Sequence, residues 1–399
     1  MPSVVECGMA KSWKTKLIHP EAHAPEGFKS LADPVYRGST VVFPDAAAIR
    51  ESWNPYKDGY TYGVYGTPTT LELAVRICEL EHGYRTHITP GGQAAVSLAN
   101  LSFLKAGDHV LLPENIYGPN RKFCAVVMRR FGVEVEFYPA VDPQKGAEAV
   151  AALLRENTRL VWCESPGSIT MEVQDIPAIA ERVHRAGALA IMDNTWSAGV
   201  YFDAFAHGID ISVQALTKYV GGHSDILLGA ITVRDEAAYA RVASTHQIVG
   251  AVASPDDCSL ALRGMKTLAV RLKTVEESAL NLARWLAERP EIEVVLHPAL
   301  SSCPGHEFWK RDFTGSAGLF SIVFRKQFTR SQVHAFIDKL ELFAIGYSWA
   351  GVASVVMTYD LEGASGRLDY GSRLVRLNIG LEDVEDLRQD LEQALEGLG

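Results

Sequence analysis

The chain lacks the features on which membrane proteins and nucleic-acid-binding proteins depend. None of its apolar runs approaches the roughly 20 residues that a membrane-spanning helix needs. It has no surplus of basic residues, since 38 lysines and arginines are outnumbered by 48 acidic residues and the net charge is −10. Nucleic acids and anionic lipid surfaces bind clustered lysine and arginine. The sequence therefore predicts no nucleic-acid partner and no membrane partner.

Cysteine is scarce and widely spaced. Neither a C-x-x-C pair nor a zinc-finger spacing occurs among the six cysteines, which are Cys7, Cys78, Cys124, Cys163, Cys258 and Cys303. Cys78, Cys124 and Cys163 lie in apolar segments and are predicted to fill the core. The twelve histidines include no H-E-x-x-H motif, and we expect no metal site. The first residues lack the basic and apolar regions of an export signal, so the expected location is the cytoplasm.

The length of 399 residues predicts two or three domains, because a single core rarely grows this large. Residues 1–66 are rich in proline, glycine and serine, and they predict an irregular N-terminal arm that contacts a neighbouring subunit. Residues 67–260 are predicted to form a large ligand-binding α/β domain. Residues 261–399 are predicted to form a smaller C-terminal α+β domain.

Within the large domain, short apolar strands alternate with helices. Examples of the strands are "DHVLLPE", "RLVWCES", "ALAIMD" and "DISVQAL". Such strands are typical of a mostly parallel sheet with helices on both faces, which binds ligands at the carboxyl ends of its strands. A helix is predicted in "TPTTLELAVRICELEHG", with Thr69 or Thr70 as its N-cap and Gly83 as its terminator. After residue 253 the spacing predicts one long helix or two consecutive helices.

One lysine stands between a hydrophobic strand and a glycine pair, in "QALTKYVGGHS", residues 214–224. Asp193 ends the strand "ALAIMD", and Lys218 follows the next strand. Both are therefore expected at the carboxyl edge of the sheet. Tyr117 follows the strand "DHVLLPE" and is expected at the same edge.

A glycine pair at residues 91–92 precedes a helix that begins near Gln93. The backbone N–H groups at a helix start bind phosphate. Pyridoxal 5′-phosphate is a cofactor that requires all four of these features: a phosphate-binding site, a carboxylate, an aromatic ring and an amine. A partly desolvated lysine supplies the neutral amine that condenses with its aldehyde, and a carboxylate keeps its ring nitrogen protonated so that the ring accepts electrons. Each feature alone has a structural explanation, but together they favour the cofactor.

The segment "DISVQALTKYVGGHS", residues 210–224, resembles position for position the lysine signature of the Cys/Met-metabolism, or trans-sulfuration, family of pyridoxal-phosphate enzymes. The resemblance extends through "CESPGSITMEVQDIPAI", "IMDNTWSAGV", "GHEFWKRDFTGSAGLFS", "GYSWAG" and "RLVRLNIGLEDVEDL". The segment "SPGSITM" and the Ser348-Trp349 pair are most similar to the bacterial cystathionine β-lyases of this family. The resemblance implies a type I aminotransferase-like fold.

The resemblance also implies roles for individual residues at the cofactor. Lys218 would be the Schiff-base lysine and the proton shuttle, Asp193 would pair with the ring nitrogen, and Tyr117 would stack on the ring. The phosphate would be held by Gly92, Gln93 and Thr217.

At the substrate, the resemblance implies that Arg376 grips the α-carboxylate, a task that suits its planar fork. Ser348 and Trp349 would line the substrate pocket. Tyr62 would reach the active site of the neighbouring subunit and, with Lys218 and Tyr117, complete the catalytic set. The implied assembly is a homotetramer built from dimers with shared active sites.

Three positions depart from the family pattern. Val64 stands where an arginine commonly contacts the neighbour's phosphate, Ala215 where a serine is often found, and Gly91 where a serine or cysteine is usual. Phosphate binding should therefore depend on helix-start amides and Thr217, with Tyr65 as a compensating residue. We expect weaker cofactor retention than in the relatives.

The expected reaction is β-elimination from a small sulfur amino acid, with cystathionine giving homocysteine, pyruvate and ammonia. Related chemistry on the same scaffold is the alternative: γ-elimination, sulfhydrylation of a homoserine ester, or β-elimination from cysteine or another S-conjugate. A nucleotide-binding oxidoreductase would leave the lysine signature unexplained, and no G-x-G-x-x-G motif follows a strand. A non-catalytic regulator is disfavoured by the presence of the lysine, the aspartate and the arginine together.

Overall fold

The computed structural model describes residues 12–18, 27, 30–50, 53–54, 56, 59–140, 142, 145–362 and 368–398. The first eleven residues of the predicted arm, with Cys7, lie outside this part of the chain. The helices are α1 Trp13–Ile18, α2 Pro68–Glu81, α3 Gly92–Phe103, α4 Gly118–Lys122, α5 Gly146–Leu153, α6 Ile176–Arg185, α7 Glu236–Val249, α8 Pro255–Ala287, α9 His306–Asp312, α10 Arg330–Asp338 and α11 Val384–Glu396. A π-helical turn, Phe123–Met128, continues α4.

Twelve strands among the described residues form two sheets. The strands are β1 Arg85–Thr89, β2 His109–Pro113, β3 Glu134–Tyr138, β4 Thr158–Glu164, β5 Leu189–Asp193, β6 Ile211–Gln214, β7 Gly229–Val233, β8 Ile292–Leu296, β9 Leu319–Phe324, β10 Ala344–Ile345, β11 Val355–Tyr359 and β12 Leu374–Asn378. The large sheet has the order β1-β7-β6-β5-β4-β2-β3, and the small sheet has the order β10-β11-β12-β9-β8.

The large sheet is mostly parallel, which confirms the predicted fold class. Strands β6, β5, β4, β2 and β3 pair in parallel, whereas β7 pairs antiparallel with both β6 and β1. Strands β1 and β6 therefore run in the same direction, because each is antiparallel to β7. The carboxyl ends of β1, β2, β4, β5 and β6 therefore share one edge.

Both faces of this sheet are buried, because alternate residues of one strand enter different hydrophobic clusters. Leu111 packs into the cluster that includes helices α2, α6 and α8. Its neighbours Val110 and Leu112 pack into the cluster on the opposite face. The predicted core cysteines, Cys78, Cys124 and Cys163, are buried. This arrangement explains why apolar residues predominate in the central strands.

The small sheet is antiparallel except for the β10–β11 pair. Helix α8 connects the two sheets as one continuous helix of 33 residues, the first of the two alternatives that the spacing allowed. The predicted domain boundary between residues 260 and 261 falls within the second turn of this helix. The boundary stays a prediction.

The predicted cap of helix α2 was wrong. The helix begins at Pro68, and its N-cap is Thr67, whose hydroxyl accepts from the N–H of Thr70. Thr70 in turn accepts at its own hydroxyl from the N–H of Thr67 at 2.7 Å, a reciprocal capping box. The helix ends at Glu81 because His82 adopts a left-handed conformation one residue before Gly83.

The arm is less irregular than predicted, since it contains α1. Its later part lies on this same chain. The N–H of Tyr36 donates to the hydroxyl of Thr69 at 2.8 Å, and Lys266 pairs with Asp33 at 2.8 Å. None of the described helices combines the length and the hydropathy of a membrane span.

Candidate functional site

Lys218 lies in a tight turn that follows β6. Its N–H donates to the carbonyl of Ala215 at 3.0 Å, and its carbonyl accepts from the N–H of Gly222 at 2.7 Å. The ammonium donates to the hydroxyl of Ser348 and lies 5.3 Å from the ring centroid of Trp349. These contacts hold the side chain on the shared edge of the large sheet.

The environment lowers the pKa of Lys218 to about 8. Burial is the main cause, the positive charge of Arg376 adds to it, and the negative charge of Asp193 opposes it. At pH 7 about a tenth of such amines are neutral, roughly two- to threehundredfold more than for an exposed lysine. A neutral amine is the form that attacks a carbonyl or accepts a proton.

Asp193 is the last residue of β5 and is held by the threonine two residues later. Its carboxylate accepts from the N–H of Thr195 at 3.0 Å and from the hydroxyl of Thr195 at 2.5 Å. The same hydroxyl accepts from the N–H of Ala215 at 2.9 Å, which ties the end of β5 to the Lys218 turn. Burial raises the pKa of Asp193, and the bonds from Thr195 and the charge of Lys218 oppose this rise.

The start of helix α3 lies against the Lys218 turn. A Cβ placed on Gly92 would be 2.5 Å from the Cβ of Ala215, so only glycine permits this approach. The N-cap, Gly91, forms no side-chain cap bond, and the first N–H groups of a helix have no partner within it. Gln93 donates to Ser97 at 3.2 Å, and its buried Oε1 has no hydrogen-bond partner. The helix start is thus suited to an anion.

The hydroxyl of Thr217 is engaged within the chain. It donates to the carbonyl of Leu228 at 3.1 Å and accepts from the N–H of Leu228 at 3.0 Å. Because a hydroxyl has only one proton, Thr217 can donate to a phosphate only if it gives up its hydrogen bond to the carbonyl of Leu228. Its role at the phosphate stays a prediction.

Tyr117 is the N-cap residue of helix α4, in the segment after β2, and it is positioned by a carboxylate. Its N–H donates to Glu164 at 2.6 Å, and Glu164 ends β4 directly beside Asp193 on β5. Burial raises the pKa of the Tyr117 phenol, and the negative charges of Asp193 and Glu164 raise it further. The Tyr117 phenol is therefore kept in its neutral form, and it lies close enough to Asp193 for the two groups to interact electrostatically.

Arg376 lies on β12 of the small sheet, yet it faces the Lys218 cluster. The residue is only 7% exposed. Its guanidinium donates to the carbonyl of Ser168 at 3.2 Å and lies 5.0 Å from the ring centroid of Tyr359. Burial lowers the pKa of Arg376. No carboxylate among the described residues forms an ion pair with this buried cation, which suits it to bind an anionic ligand.

The loop that carries Ser348 and Trp349 has an unusual backbone. Ser348 and Ala350 adopt positive φ angles of 78° and 67°, and the N–H of Ala350 donates to Asn378 at 2.8 Å. Non-glycine residues in this conformation are strained and concentrate at functional sites. The loop places Ser348 at hydrogen-bond distance from Lys218, and the role of Ser348 and Trp349 in the substrate pocket stays a prediction.

Tyr62 is placed apart from these residues. It lines a cavity of about 460 Å³ with Val64, Tyr65 and Arg37, and the lining includes none of the residues of the Lys218 cluster. The side chain is 52% exposed. The structure thus brings together every predicted site residue in one region except Tyr62, whose predicted place is in the neighbouring subunit's site.

The residues fit pyridoxal phosphate. An anion site at the start of α3, a half-buried amine, a carboxylate and an aromatic ring converge on one edge of the sheet. A model of the Cys/Met metabolism PLP-dependent enzyme family matches residues 14–396. The chain belongs to this family. Its cofactor is pyridoxal phosphate.

Individual family members align along nearly the whole chain. Cystathionine β-lyase MetC of Escherichia coli is 39% identical over 390 residues, which are 96% of this chain and 98% of that protein. The cystathionine β-lyase of Haemophilus influenzae is 41% identical over 342 residues, 84% of this chain and 85% of that protein. The fold matches a crystal structure of metB from Corynebacterium glutamicum with a TM-score of 0.89 and 29% identity, covering 98% of this chain and 99% of that one.

Two residues of the site were missed from the sequence. Glu164 ends the strand "RLVWCES" and could have been found by the rule that selected Asp193, a carboxylate at the carboxyl end of a parallel strand. Thr195 carried a weaker signal, since a threonine two residues after an aspartate is common in turns.

Proposed function

We propose that this protein is a pyridoxal-phosphate-dependent carbon–sulfur β-lyase that cleaves cystathionine, with the uptake of one water, to homocysteine, pyruvate and ammonia. The observation that carries the proposal is the alignment of nearly the whole chain with relatives that are named cystathionine β-lyases. The site supports it with an amine of lowered pKa beside the half-buried Asp193 carboxylate, and with a buried arginine that forms no ion pair with a carboxylate of the described residues.

Pyridoxal phosphate, when bound, supplies an aldehyde that condenses with amines and a ring that withdraws electrons from the substrate Cα. The helix start at residues 91–93 would hold its phosphate, Asp193 would face its ring nitrogen, and Tyr117 would cover its ring. Thr195 keeps the Asp193 carboxylate oriented through two hydrogen bonds. The buried setting strengthens each of these electrostatic contacts.

Arg376 binds and orients the substrate through its α-carboxylate, because a fork of N–H donors matches a carboxylate in two bonds. Lys218 Nζ removes the proton from Cα and delivers a proton to the leaving group or the product. Its lowered pKa makes both the neutral and the protonated amine accessible near neutral pH. Ser348 holds Nζ near this position through their hydrogen bond.

The identity of the products tests the reaction. Purified enzyme supplied with cystathionine is expected to yield pyruvate and homocysteine in equal amounts, with ammonia. Formation of 2-oxobutyrate and cysteine would instead show γ-elimination. A panel that adds cysteine, other S-conjugates, and a homoserine ester with sulfide separates the remaining alternatives. The β-lyase proposal fails if pyruvate does not form from cystathionine.

We also propose a cytoplasmic homotetramer built from dimers with shared active sites. Support comes from Tyr62, which is exposed and lines a cavity whose lining includes none of the residues of its own chain's Lys218 cluster. Tyr62 is fixed to the segment before it, since it forms a β-bridge with Thr40. Sedimentation of the purified protein as a monomer would contradict this assembly.

Replacement of Val64 by arginine is expected to tighten cofactor binding. Val64 lies beside Tyr62 on the same cavity, so an arginine there would reach the neighbour's phosphate in the proposed dimer. A hydrogen bond between charged groups stabilises by about 1.5–3 kcal/mol, which predicts a dissociation constant about ten- to a hundredfold lower. The measurement is titration of the cofactor-free chain with pyridoxal phosphate, followed by tryptophan fluorescence.

Val64→Met is the matched control, because it adds length without charge and should leave the dissociation constant unchanged. A submicromolar constant in the wild type that Val64→Arg does not alter would contradict the expectation that this chain retains its cofactor weakly.

A further inference from the structure

Helix α8 packs directly against the turn that carries Lys218. Gly264 on the helix faces this turn, and a Cβ at this position would be 2.5 Å from the carbonyl oxygen of Gly221. On the other side Gly222 has a φ of +72°, and a Cβ there would overlap the guanidinium of Arg271. Glycine on both sides therefore lets the backbone of the turn and the helix approach within contact distance.

Arg271 fills this seam with a buried cation. It is 6% exposed, and its guanidinium donates to the carbonyl of Tyr219 at 2.7 Å and to the carbonyl of Gly264 at 2.8 Å. Its Nε donates to the hydroxyl of Thr267 at 3.0 Å. These acceptors are uncharged, and no carboxylate of the described chain forms an ion pair with it. Burial lowers the pKa of Arg271 to about 10.

Arg271 binds the backbone carbonyl of Tyr219, the residue directly after Lys218. Tyr219 is buried, and its hydroxyl accepts from the N–H of Gly318 at the entry to the small sheet at 2.9 Å. Its ring lies 5.5 Å from that of Trp349 in an edge-to-face arrangement. Tyr219 is therefore held at two points. Its hydroxyl is bound at the entry to the small sheet, and its carbonyl is bound by Arg271 on α8.

A buried cation without a counter-charge is a costly way to fill space, since apolar groups of similar volume pack there without desolvation. Its fork, however, binds two carbonyls at once and fixes the turn relative to the helix. Because Lys218 is adjacent to the gripped residue, displacement of the turn moves Nζ away from Ser348 and Asp193. Displacements of about 1 Å can lower catalytic rates by about a hundredfold.

We propose that Arg271 is a positioning residue for Lys218, which locks the turn at residues 218–222 to helix α8. This role deepens the proposed function and rests on it. The guanidinium touches neither the substrate nor the reacting atoms, so its effect passes through the placement and desolvation of the lysine.

The test uses the full-length chain with Arg271→Met, Arg271→Lys and Gly222→Ala. The cofactor-free chain takes up pyridoxal phosphate through neutral Lys218, and the visible absorbance reports the rate of uptake at each pH. For the wild type the midpoint is expected near pH 8. In Arg271→Met and Gly222→Ala the relaxed turn admits water, so the midpoint should rise by about one unit toward that of a free lysine.

On the holoenzyme, kcat should fall about ten- to a hundredfold in these two variants, with KM changed less than about threefold because Arg376 is on another element. Arg271→Lys keeps a donor but not the fork, and it should give intermediate values. If Arg271→Met does not fold, Gly222→Ala and Arg271→Lys decide the question.

Arg76→Met is the matched control, because Arg76 is also buried on a helix but pairs with the carboxylates of Glu72 and Asp33. It should lower the thermal midpoint of unfolding without moving the uptake midpoint or kcat. The proposal is overturned if the Arg271 and Gly222 variants behave like Arg76→Met. A wild-type chain that takes up no pyridoxal phosphate would instead overturn the proposed function, and the inference with it.

Discussion

Replacement of Lys218 by alanine is expected to lower turnover by about a hundred- to ten-thousandfold, the range of contributions from a positioned acid or base. The variant loses the amine that the structure places at the edge of the sheet with a pKa near 8. It should also lose the visible absorbance of the cofactor attached to the protein. Steady-state kinetics with cystathionine and an absorption spectrum of the purified variant measure the two effects.

Lys273→Ala is the control for this experiment, since Lys273 is an exposed lysine on α8 paired only loosely with Glu277 at 3.8 Å. It should match the wild type in rate and spectrum. Lys218→Arg adds a further arm, because arginine keeps the positive charge but supplies no neutral amine near pH 7. Turnover within tenfold of the wild type in Lys218→Ala would refute the assignment of the central lysine.

The sequence predicts the strands of the large sheet that are buried on both faces. It does not reveal the edge strand β1 or the direction of β7. Strands β2, β4, β5 and β6 are covered on both faces, so apolar residues predominate in them and the pattern identified them. Strand β1 escaped notice because its sequence "RTHIT" contains an arginine and a histidine, which an edge strand tolerates. The antiparallel direction of β7 was missed because apolar composition does not encode direction.

The site divides along similar lines. Lys218 and Asp193 follow adjacent strands, so local sequence and sheet geometry suffice to bring them together. Arg376 comes from the second sheet, more than 150 residues after Lys218, and only the family resemblance pointed to it. No local pattern predicts that a strand arginine is buried beside a distant lysine. Arg271 is the same case: its fork binds two backbone carbonyls, which leave no trace in the sequence.

The cap of α2 shows the limit at the level of single residues. Three threonines lie within four positions at the start of this helix, and each is an acceptable N-cap by composition. The geometry of the preceding chain decides among them, because Thr67 has the extended φ and ψ of a cap and Pro68 follows it at the first helical position.

Replacement of Asp193 by asparagine should lower turnover by about a hundred- to a thousandfold, a loss comparable to that of one preorganised electrostatic group in other enzymes. Asparagine keeps the shape and accepts the N–H of Thr195, but it carries no charge. A neutral group opposite the ring nitrogen no longer favours its protonated form, so the ring withdraws electrons less strongly. The kinetics with cystathionine measure the loss, and the pH dependence of the visible absorbance reports the changed charge at the ring.

Thr195→Val provides a graded comparison within the same contact. It removes the hydroxyl that donates to Asp193 and accepts from Ala215, while the N–H of residue 195 remains. The bond from the Thr195 hydroxyl lowers the pKa of Asp193, whereas burial raises it. Without that bond the pKa of Asp193 should therefore rise. We expect about a tenfold loss, because one charge-assisted hydrogen bond contributes about 1.5–3 kcal/mol and the backbone bond retains part of it.

Asp203→Asn is the control for the loss of a carboxylate, since Asp203 pairs with His82 near the surface and should be replaceable without effect on turnover. The expected order is therefore a large loss for Asp193→Asn, a small one for Thr195→Val and none for Asp203→Asn. An Asp193→Asn enzyme as active as the Thr195→Val enzyme would mean that the carboxylate serves to fix the end of β5, and that the ring nitrogen needs no negative charge beside it.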